Sequence, residues 1–266
     1  MTVRSEKSGA VTTIIHSRPE CRNAMDPASA EALVEAFLDF EADDSAEVAV
    51  FWGEGGAFCA GWDLKFASTL AASPQPLAAL DFGAADEPVP RGPMGPSRLQ
   101  LSKPVIAAVA GPAVAGGFEL ALWCDLRVME ESAYFGVYCR RWGVPLIDGG
   151  TVRLPRLVGR GRALDIILTG RKVPAHEALA IGACERVVPD GQARERAEAL
   201  AAETARFPQG CLRSDRASVY AQEGLSERDG LRSEWRISAG MVVDEGIAGA
   251  ARFSDGKGRH GDFSDI

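Results

Sequence analysis

The chain has 266 residues, of which 46% are hydrophobic and 25% are charged, and its formal net charge at pH 7 is −8. A chain of this length and composition folds into a globular protein with one large domain, or with a domain and a smaller subdomain. The negative charge and the lack of a basic run argue against nucleic acid as a partner. The sequence has no apolar signal segment and no run of about 18 apolar residues. We therefore expect a soluble cytoplasmic protein without a membrane partner.

Several classes of functional site are disfavoured by the motifs that are missing. The six cysteines are scattered without a CxxC pair, which is typical of reduced thiols in the cytoplasm. No spacing of metal ligands occurs, and the sequence lacks a GxSxG nucleophile motif, a P-loop and a complete GxGxxG motif. We expect neither a bound metal ion nor a bound cofactor.

The first half of the chain alternates strands and helices. Apolar and β-branched runs predict strands over residues 10–16 and 47–52, and Asp26 followed by Pro27 predicts the start of a helix that ends at about Asp39. After the second strand, a bend of glycines and small residues leads into another helix. Strands that alternate with helices indicate an α/β fold in which helices cover the sheet.

The most informative stretch is Lys103–Asp125. A short apolar strand is followed by Gly116 and Gly117, and these glycines open an apolar helix that carries Glu119 in its first turn. A carboxylate in such a helix is costly to bury unless it is paired, hydrogen-bonded or protonated. Bare backbone N–H groups at a helix N-terminus stabilise negative charge. The stretch therefore predicts catalytic machinery.

The later parts of the chain differ in character. Residues 66–98 are rich in proline and glycine, and we interpret them as either a mobile binding lid or a disordered insertion. Further strands and helices follow, and from residue 190 onward the pattern is helical. The sequence thus predicts an α/β core over residues 1–190 and a helical C-terminal subdomain over residues 191–266.

Taken together and in order, several motifs resemble the crotonase superfamily, the enoyl-CoA hydratase/isomerase family. The resemblance rests on residues 58–64, 103–125 and 148–155, and matching pieces extend from about residue 10 to residue 253. It implies a spiral of repeated ββα units with a helical C-terminal oligomerisation region, and a homotrimer or a dimer of trimers. It also implies an acyl-CoA thioester as substrate, with coenzyme A as part of that substrate, and a place in fatty acid β-oxidation.

The resemblance also carries roles to individual residues. The backbone N–H groups of Ala60 and Gly116 would stabilise the enolate oxygen that forms during the reaction, and Glu119 would hold or deliver a proton. Contacts with the CoA thioester are expected from a set of residues in the matching motifs. These are Arg22, Ala24, Ala60, Gly61, Trp62, Asp63, Leu64 and Gly116.

One position departs from the hydratase pattern. Cys139 stands where hydratases place a second glutamate, and a thiol cannot accept two hydrogen bonds from water as a carboxylate does, although a thiolate could act as a base. Asp148 offers a replacement, because its place resembles that of the catalytic aspartate in the dienoyl-CoA isomerase branch. The alternative is that Asp148 only caps the helix that follows.

Three functions remain open at this stage. The leading one is a lyase of the enoyl-CoA hydratase type that uses Glu119 together with Asp148 or with an unassisted water. The second is an enoyl- or dienoyl-CoA isomerase in which Glu119 and Asp148 move a proton between carbons. The third is a non-catalytic acyl-CoA-binding protein that has lost its chemistry with the second glutamate.

Overall fold

The computed structural model describes residues 2–70, 78–84 and 86–258. The strands in this part of the chain are β1 (Val3–Ser8), β2 (Val11–His16), β3 (Val48–Gly53), β4 (Val105–Val109), β5 (Pro112–Val114), β6 (Leu126–Glu130), β7 (Tyr134–Gly136), β8 (Lys172–Pro174) and β9 (Arg186–Val188). The α-helices are α1 (Pro27–Ala42), α2 (Leu64–Thr69), α3 (Gly116–Trp123), α4 (Gly150–Val158), α5 (Arg160–Thr169), α6 (Ala175–Ile181), α7 (Ala193–Thr204), α8 (Gln209–Ala221), α9 (Glu227–Met241) and α10 (Ile247–Ser254). A π-helical turn, Val242–Gly246, joins α9 to α10, and the chain also forms 3-10 helices at Pro19–Cys21, Pro96–Arg98 and Tyr138–Trp142.

Two sheets organise the fold. The larger has the strand order β1-β2-β3-β4-β6-β9, and the smaller has the order β5-β7-β8. In the larger sheet only the β1–β2 pair is antiparallel, and its register places Ser5 opposite Ile14. The central strand β4 is buried at every residue, because helices cover both faces of a parallel sheet. The predicted α/β class is confirmed.

The two faces of the larger sheet have separate cores. One face packs against α1 and α3, where Phe37 makes edge-to-face contacts with Phe51 and with Trp123. The other face packs against α7, whose Ala197 and Leu200 belong to the second core. The division of the chain into a core and a C-terminal subdomain at residue 190 stays a prediction. The helix α7 belongs to the predicted subdomain, yet it packs against the sheet of the core. In contrast, α9 and α10 bury no residue of their own.

The start of α1 shows how a local signal sets a helix boundary. The Asp26 side chain accepts a hydrogen bond from the Ser29 N–H at 2.8 Å, and Pro27 occupies the first helical position. The predicted cap is therefore confirmed, although the helix continues to Ala42, beyond the predicted end. No comparable local signal marks β1, because Val3 is the only buried residue of that strand.

The proline-rich segment over residues 66–98 lies partly outside the described residues, which omit 71–77 and 85. Its last part is packed, because backbone hydrogen bonds of 3.0 and 2.9 Å close a turn between Gly92 and Gly95. Met94 and Ser97 are both buried. The described end of the segment is therefore a fixed part of the fold, and the lid remains a prediction for the rest. None of the helices in the described ranges is long and apolar enough to cross a membrane.

Candidate active site

A pocket of about 300 Å³ lies where α3 begins, next to the bend before α2 and the segment that leads into α4. Its wall is mostly apolar, but both Glu119 and Asp148 line it. Ala60, Trp62 and Gly116 line the same pocket. The structure thus brings together residues from three distant parts of the sequence, and four of them, Ala60, Gly116, Glu119 and Asp148, are the predicted catalytic residues.

The N-terminus of α3 has no side-chain cap, so its first N–H groups are available to an anion. Ala115, the residue before the helix, has a φ of 55° and provides no side-chain cap. The N–H group of Gly116 has no acceptor among the described residues, as is usual for the first turn of an uncapped helix. Free N–H groups at a helix N-terminus attract negative charge, so this end of the pocket is suited to a developing oxyanion.

The bend before α2 is pressed against the start of α3. Gly61 has a φ of +91°, and a Cβ at this position would lie 2.7 Å from the Ala115 Cβ and 3.1 Å from the Gly116 nitrogen. A Cβ on Gly117 would lie 2.1 Å from the carbonyl oxygen of Cys59. Only glycine permits this approach, and the backbone on either side of Gly61 therefore lies next to the helix N-terminus.

The backbone hydrogen bonds of this bend correct one prediction. The Ala60 N–H donates to the Arg22 carbonyl oxygen at 3.0 Å, so it is not free to bind a substrate. Met25 forms a parallel bridge with Trp62 by donating to the Gly61 carbonyl, while the Asp63 N–H donates to the Met25 carbonyl. The prediction of Ala60 as an oxyanion donor is therefore wrong.

The free donor of the bend is the backbone N–H of Trp62, two residues after Ala60. In a parallel bridge of this kind, the N–H of the bridged residue points away from its partner strand. The Trp62 N–H accordingly meets no acceptor in the described part of the chain. Trp62 and Gly116 both line the pocket, and each carries a backbone N–H without an acceptor among the described residues.

Glu119 is held by the segment that leads into α4. The residue is 2% exposed, and its Oε1 accepts hydrogen bonds from the Asp148 N–H at 2.9 Å and the Gly150 N–H at 2.8 Å. Burial, helped by the charge of Asp148, raises the pKa of Glu119 to about 7, against the opposing effect of these two N–H groups. A carboxyl group with this pKa can both give and take a proton near neutral pH.

The Asp148 carboxylate binds the end of the proline-rich segment, around Met94 and Ser97. Its Oδ1 accepts hydrogen bonds from the Met94 N–H at 3.0 Å and from the Ser97 hydroxyl. Gly149 is the N-cap residue of α4, and no side chain caps that helix. The alternative in which Asp148 caps the helix is therefore wrong. Burial raises the pKa of Asp148, and its catalytic role stays a prediction.

Arg153 is a site residue that the sequence analysis missed. Its guanidinium donates to the Asp148 carbonyl at 2.9 Å and to the Ser97 carbonyl at 2.7 Å. Burial lowers its pKa, and its positive charge acts to lower the pKa of both Glu119 and Asp148. Arg153 lies within the matching motif at residues 148–155, but arginine is so often a surface residue that its type did not single it out.

Cys139 lines the pocket and is buried, as its place in the hydratase pattern implied. Burial raises the pKa of its thiol, and the nearby charge of Glu119 raises it further. The thiol is therefore uncharged at neutral pH, which argues against the thiolate base that the sequence left open.

The predicted CoA contacts divide into two groups. Four of them line the pocket, namely Ala60, Trp62, Leu64 and Gly116. The other four are absent from its lining, namely Arg22, Ala24, Gly61 and Asp63. Arg22 is exposed, whereas Asp63 caps α2 by accepting from the Lys65 N–H at 3.0 Å. A role of these residues in CoA binding stays a prediction. No group of three or more His, Cys, Asp or Glu side chains within the described ranges could hold a metal ion.

Comparison with known proteins defines the class to which this fold and site belong. Residues 6–237 match the family described as Enoyl-CoA hydratase/isomerase, and the chain belongs to that family. It is 34% identical to enoyl-CoA hydratase EchA19 of Mycobacterium tuberculosis, over 94% of this chain and 92% of the relative. It is 39% identical to carnitinyl-CoA dehydratase of Salmonella typhimurium, over 90% of this chain and 82% of the relative.

Solved structures agree with this membership. An enoyl-CoA hydratase from Mycobacterium tuberculosis superposes with a TM-score of 0.85 at 29% identity, covering 96% of both chains. The enoyl-CoA hydratase of Bacillus anthracis gives a TM-score of 0.84 at 29% identity, again over 96% of both chains. The crotonase-like fold is confirmed, and the protein is an enoyl-CoA hydratase-like enzyme.

Proposed function

We propose that this protein adds water to the double bond of a 2-enoyl-CoA thioester, and removes it in the reverse direction, with Glu119 as the acid/base residue. The observation that carries the proposal is the position of Glu119. Its carboxyl group is buried in the pocket with a pKa of about 7, one helical turn from the open N-terminus of α3. Coenzyme A enters as the carrier of the acyl group, and no other cofactor takes part.

The proposed reaction begins with the thioester carbonyl oxygen at the N–H groups of Trp62 and Gly116. The ionised Glu119 takes a proton from water as the water oxygen bonds to C3, and the electrons of the double bond move toward the carbonyl oxygen to give an enolate. Glu119 then returns the proton to C2. One donor of such a pair contributes roughly 10²–10³ in kcat, and a positioned acid/base group contributes about 10²–10⁴.

A second candidate is double-bond isomerisation. It is supported by the placement of Asp148, a second buried carboxylate on the wall of the same pocket. In this reaction one carboxylate removes a proton from one carbon of the acyl chain, and the other returns a proton to a different carbon. The hydrogen bonds that hold Asp148 both end on Oδ1, so Oδ2 is the oxygen that could face the substrate.

The test follows the absorbance of crotonyl-CoA with the wild type, Glu119→Gln, Asp148→Asn and Cys139→Ala. We expect loss of the enoyl absorbance with the wild type and with Cys139→Ala, and a decrease in kcat of roughly 10²–10⁴ for Glu119→Gln. A 3-enoyl-CoA substrate tests the isomerase candidate in parallel. If the wild type leaves crotonyl-CoA unchanged, hydration is rejected. Binding of acyl-CoA without any Glu119-dependent turnover would instead favour a non-catalytic binding protein.

We further propose that the protein is a homotrimer or a dimer of trimers, assembled through the C-terminal helices. Support comes from large apolar side chains that these helices expose, among them Trp235 at 74% and Ile247 at 62%. Light scattering after size exclusion measures the mass. A monomer at micromolar concentration would contradict the assembly.

The proposed cellular location is the cytoplasm, and the proposed role is the breakdown of fatty acyl-CoA thioesters. All six cysteines are free thiols, which supports a reducing compartment. The apolar lining of the pocket supports an aliphatic acyl group.

A further inference from the structure

A tight turn that has no role in the proposed reaction closes one side of the pocket. This turn, residues Gly92–Gly95, is here named the Met94 turn. Its two glycines exchange backbone hydrogen bonds of 3.0 and 2.9 Å. A Cβ on Gly92 would lie 2.6 Å from Asp148 Oδ1, and a Cβ on Gly95 would lie 2.6 Å from the carbonyl oxygen of Ala30. The turn therefore fits tightly between Asp148 and α1.

Asp148 fastens the Met94 turn to the site. Its Oδ1 accepts from the Met94 N–H at 3.0 Å and from the Ser97 hydroxyl, and all three residues are buried. Arg153 reinforces the attachment by donating to the carbonyl oxygens of both Ser97 and Asp148. Because the Asp148 N–H also holds Glu119, one residue sets the position of the acid/base group and of the turn.

The Met94 side chain lies over Gly116. A Cβ on Gly116 would lie 2.5 Å from the Met94 Sδ, 2.7 Å from Cγ and 2.9 Å from Cε. Met94 is 1% exposed and lines the pocket. A thioester oxygen bound to the Gly116 N–H has the acyl α-carbon two bonds away, and the Met94 side chain is the part of the pocket wall packed against Gly116.

We propose that Met94 is a specificity-determining residue that excludes acyl groups branched at C2, and that Asp148 and Ser97 are the positioning residues that keep it there. This inference rests on the proposed function, because the proposed oxyanion donors locate the α-carbon. A linear enoyl chain passes the thioether, whereas a methyl group on C2 meets it. Because the backbone of the Met94 turn is hydrogen-bonded and closely packed, it cannot shift to carry the Met94 side chain out of the way.

The test compares kcat/KM for crotonyl-CoA with kcat/KM for 2-methylcrotonyl-CoA. Met94→Ala should raise the relative preference for the branched substrate by roughly 10–200-fold, the range for one methyl group in a close-fitting pocket. Met94→Leu is the matched control, because it conserves the volume and should leave the preference within a few-fold of the wild type. Ser97→Ala removes one of the two donors to Asp148 and should shift the preference in the same direction, but less.

Binding measurements separate this inference from the proposed reaction. Calorimetry with butyryl-CoA and 2-methylbutyryl-CoA, which have no double bond to hydrate, reports the same discrimination without turnover. If the wild type fails to hydrate crotonyl-CoA but Met94→Ala still gains affinity for the branched thioester, only the proposed reaction fails. If Met94→Ala changes the kinetics and the affinities of linear and branched thioesters equally, or leaves both preferences unchanged, the role of Met94 is overturned.

Discussion

Two strand–bend–helix units contribute residues to the pocket, and they differ at the N-termini of their helices. In the first, strand β3 leads through the bend to α2, and the Asp63 carboxylate accepts from the Lys65 and Phe66 N–H groups at 3.0 and 3.3 Å. In the second, β4 and β5 lead to α3, and Ala115 provides no side-chain acceptor. The first helix end is closed by its own chain, whereas the second remains free to bind an anion.

The two helices also differ in burial. No residue of α2 is buried, whereas every residue of α3 is, including Glu119. A similar order of strand, small residues and helix therefore has two chemical outcomes. The first unit contributes an N–H from extended backbone at Trp62, and the second contributes a helix N-terminus and a carboxyl group whose pKa is raised by burial. The difference depends on one capping side chain and on how deeply each helix is packed.

The contact between the two units is broken most directly at Gly61. In Gly61→Ala, the new Cβ would meet the Ala115 Cβ at 2.7 Å, at a position where φ is +91°. The Trp62 N–H would move away from Gly116, so we expect kcat to fall by roughly 10²–10³. Steady-state kinetics measures this. Gly56→Ala is the matched control, because Gly56 also has a positive φ but nothing lies within 4 Å of its Cβ position, and kcat should stay near that of the wild type.

The pH dependence of stability tests how the burial of α3 affects its carboxyl group, Glu119. The pKa of Glu119 rises from 4.5 to about 7 on folding, so between these values the folded protein holds a proton that the unfolded chain has released. The free energy of unfolding should therefore fall as pH rises through this window, by roughly 3 kcal/mol in total at 1.36 kcal/mol per unit.

Glu119→Gln tests this, because the amide stays neutral and its oxygen can still accept from Asp148 and Gly150. Urea unfolding should find the variant more stable than the wild type at about pH 9, with the gap closing below about pH 4.5. A gap that is the same at both pH values would contradict the raised pKa.

The substitution Asp63→Ala removes the side-chain cap from the N-terminus of α2. Loss of the cap should lower the free energy of unfolding by about 1 kcal/mol. Arg18 also loses a partner that it contacts at 3.2 Å. We expect little change in kcat, since the Trp62 N–H is positioned by Met25 instead. Chemical denaturation and kinetics measure both effects, and Asp63→Asn, which retains the acceptor, should remain close to the wild type.

The smallest expected effect is at the open end of α3. Ala115 has φ 55° and ψ −126°, a conformation that is strained for any residue with a Cβ. Ala115→Gly should relieve the strain and raise the free energy of unfolding by up to about 1 kcal/mol, after the extra entropy of glycine in the unfolded chain is subtracted. Ala110→Gly, at a nearby residue without a positive φ, should destabilise the protein instead. Thermal melts compare the two, and an equal loss of stability in both would argue against strain at Ala115.

Much of the fold was predictable because its signals are local. The cap and proline at the start of α1 and the continuous apolar run of β4 both lie where the sequence placed them. The strand β1 was missed, because five of its six residues are not fully buried and carry no alternating pattern. Its place in the sheet comes from pairing with β2, which is a contact between strands and not a property of the segment itself.

By itself, the sequence determined that Gly116 and Glu119 share the first turn of one apolar helix, because three residues in a helix always lie within one turn. Only the tertiary structure decided which N–H of the bend is free. The Arg22 carbonyl accepts from the N–H of Ala60, whereas the bridge to Met25 leaves the N–H of Trp62 without an acceptor among the described residues.

The tertiary structure also decided what Asp148 does. Its carboxylate holds Met94 and Ser97, which lie about fifty residues earlier in the chain. Hydrogen-bond partners so distant in sequence are selected by how the sheets and helices pack, and no local pattern of residues encodes them. The open end of α3 was therefore visible in the sequence, whereas the residues that surround it were set by the fold.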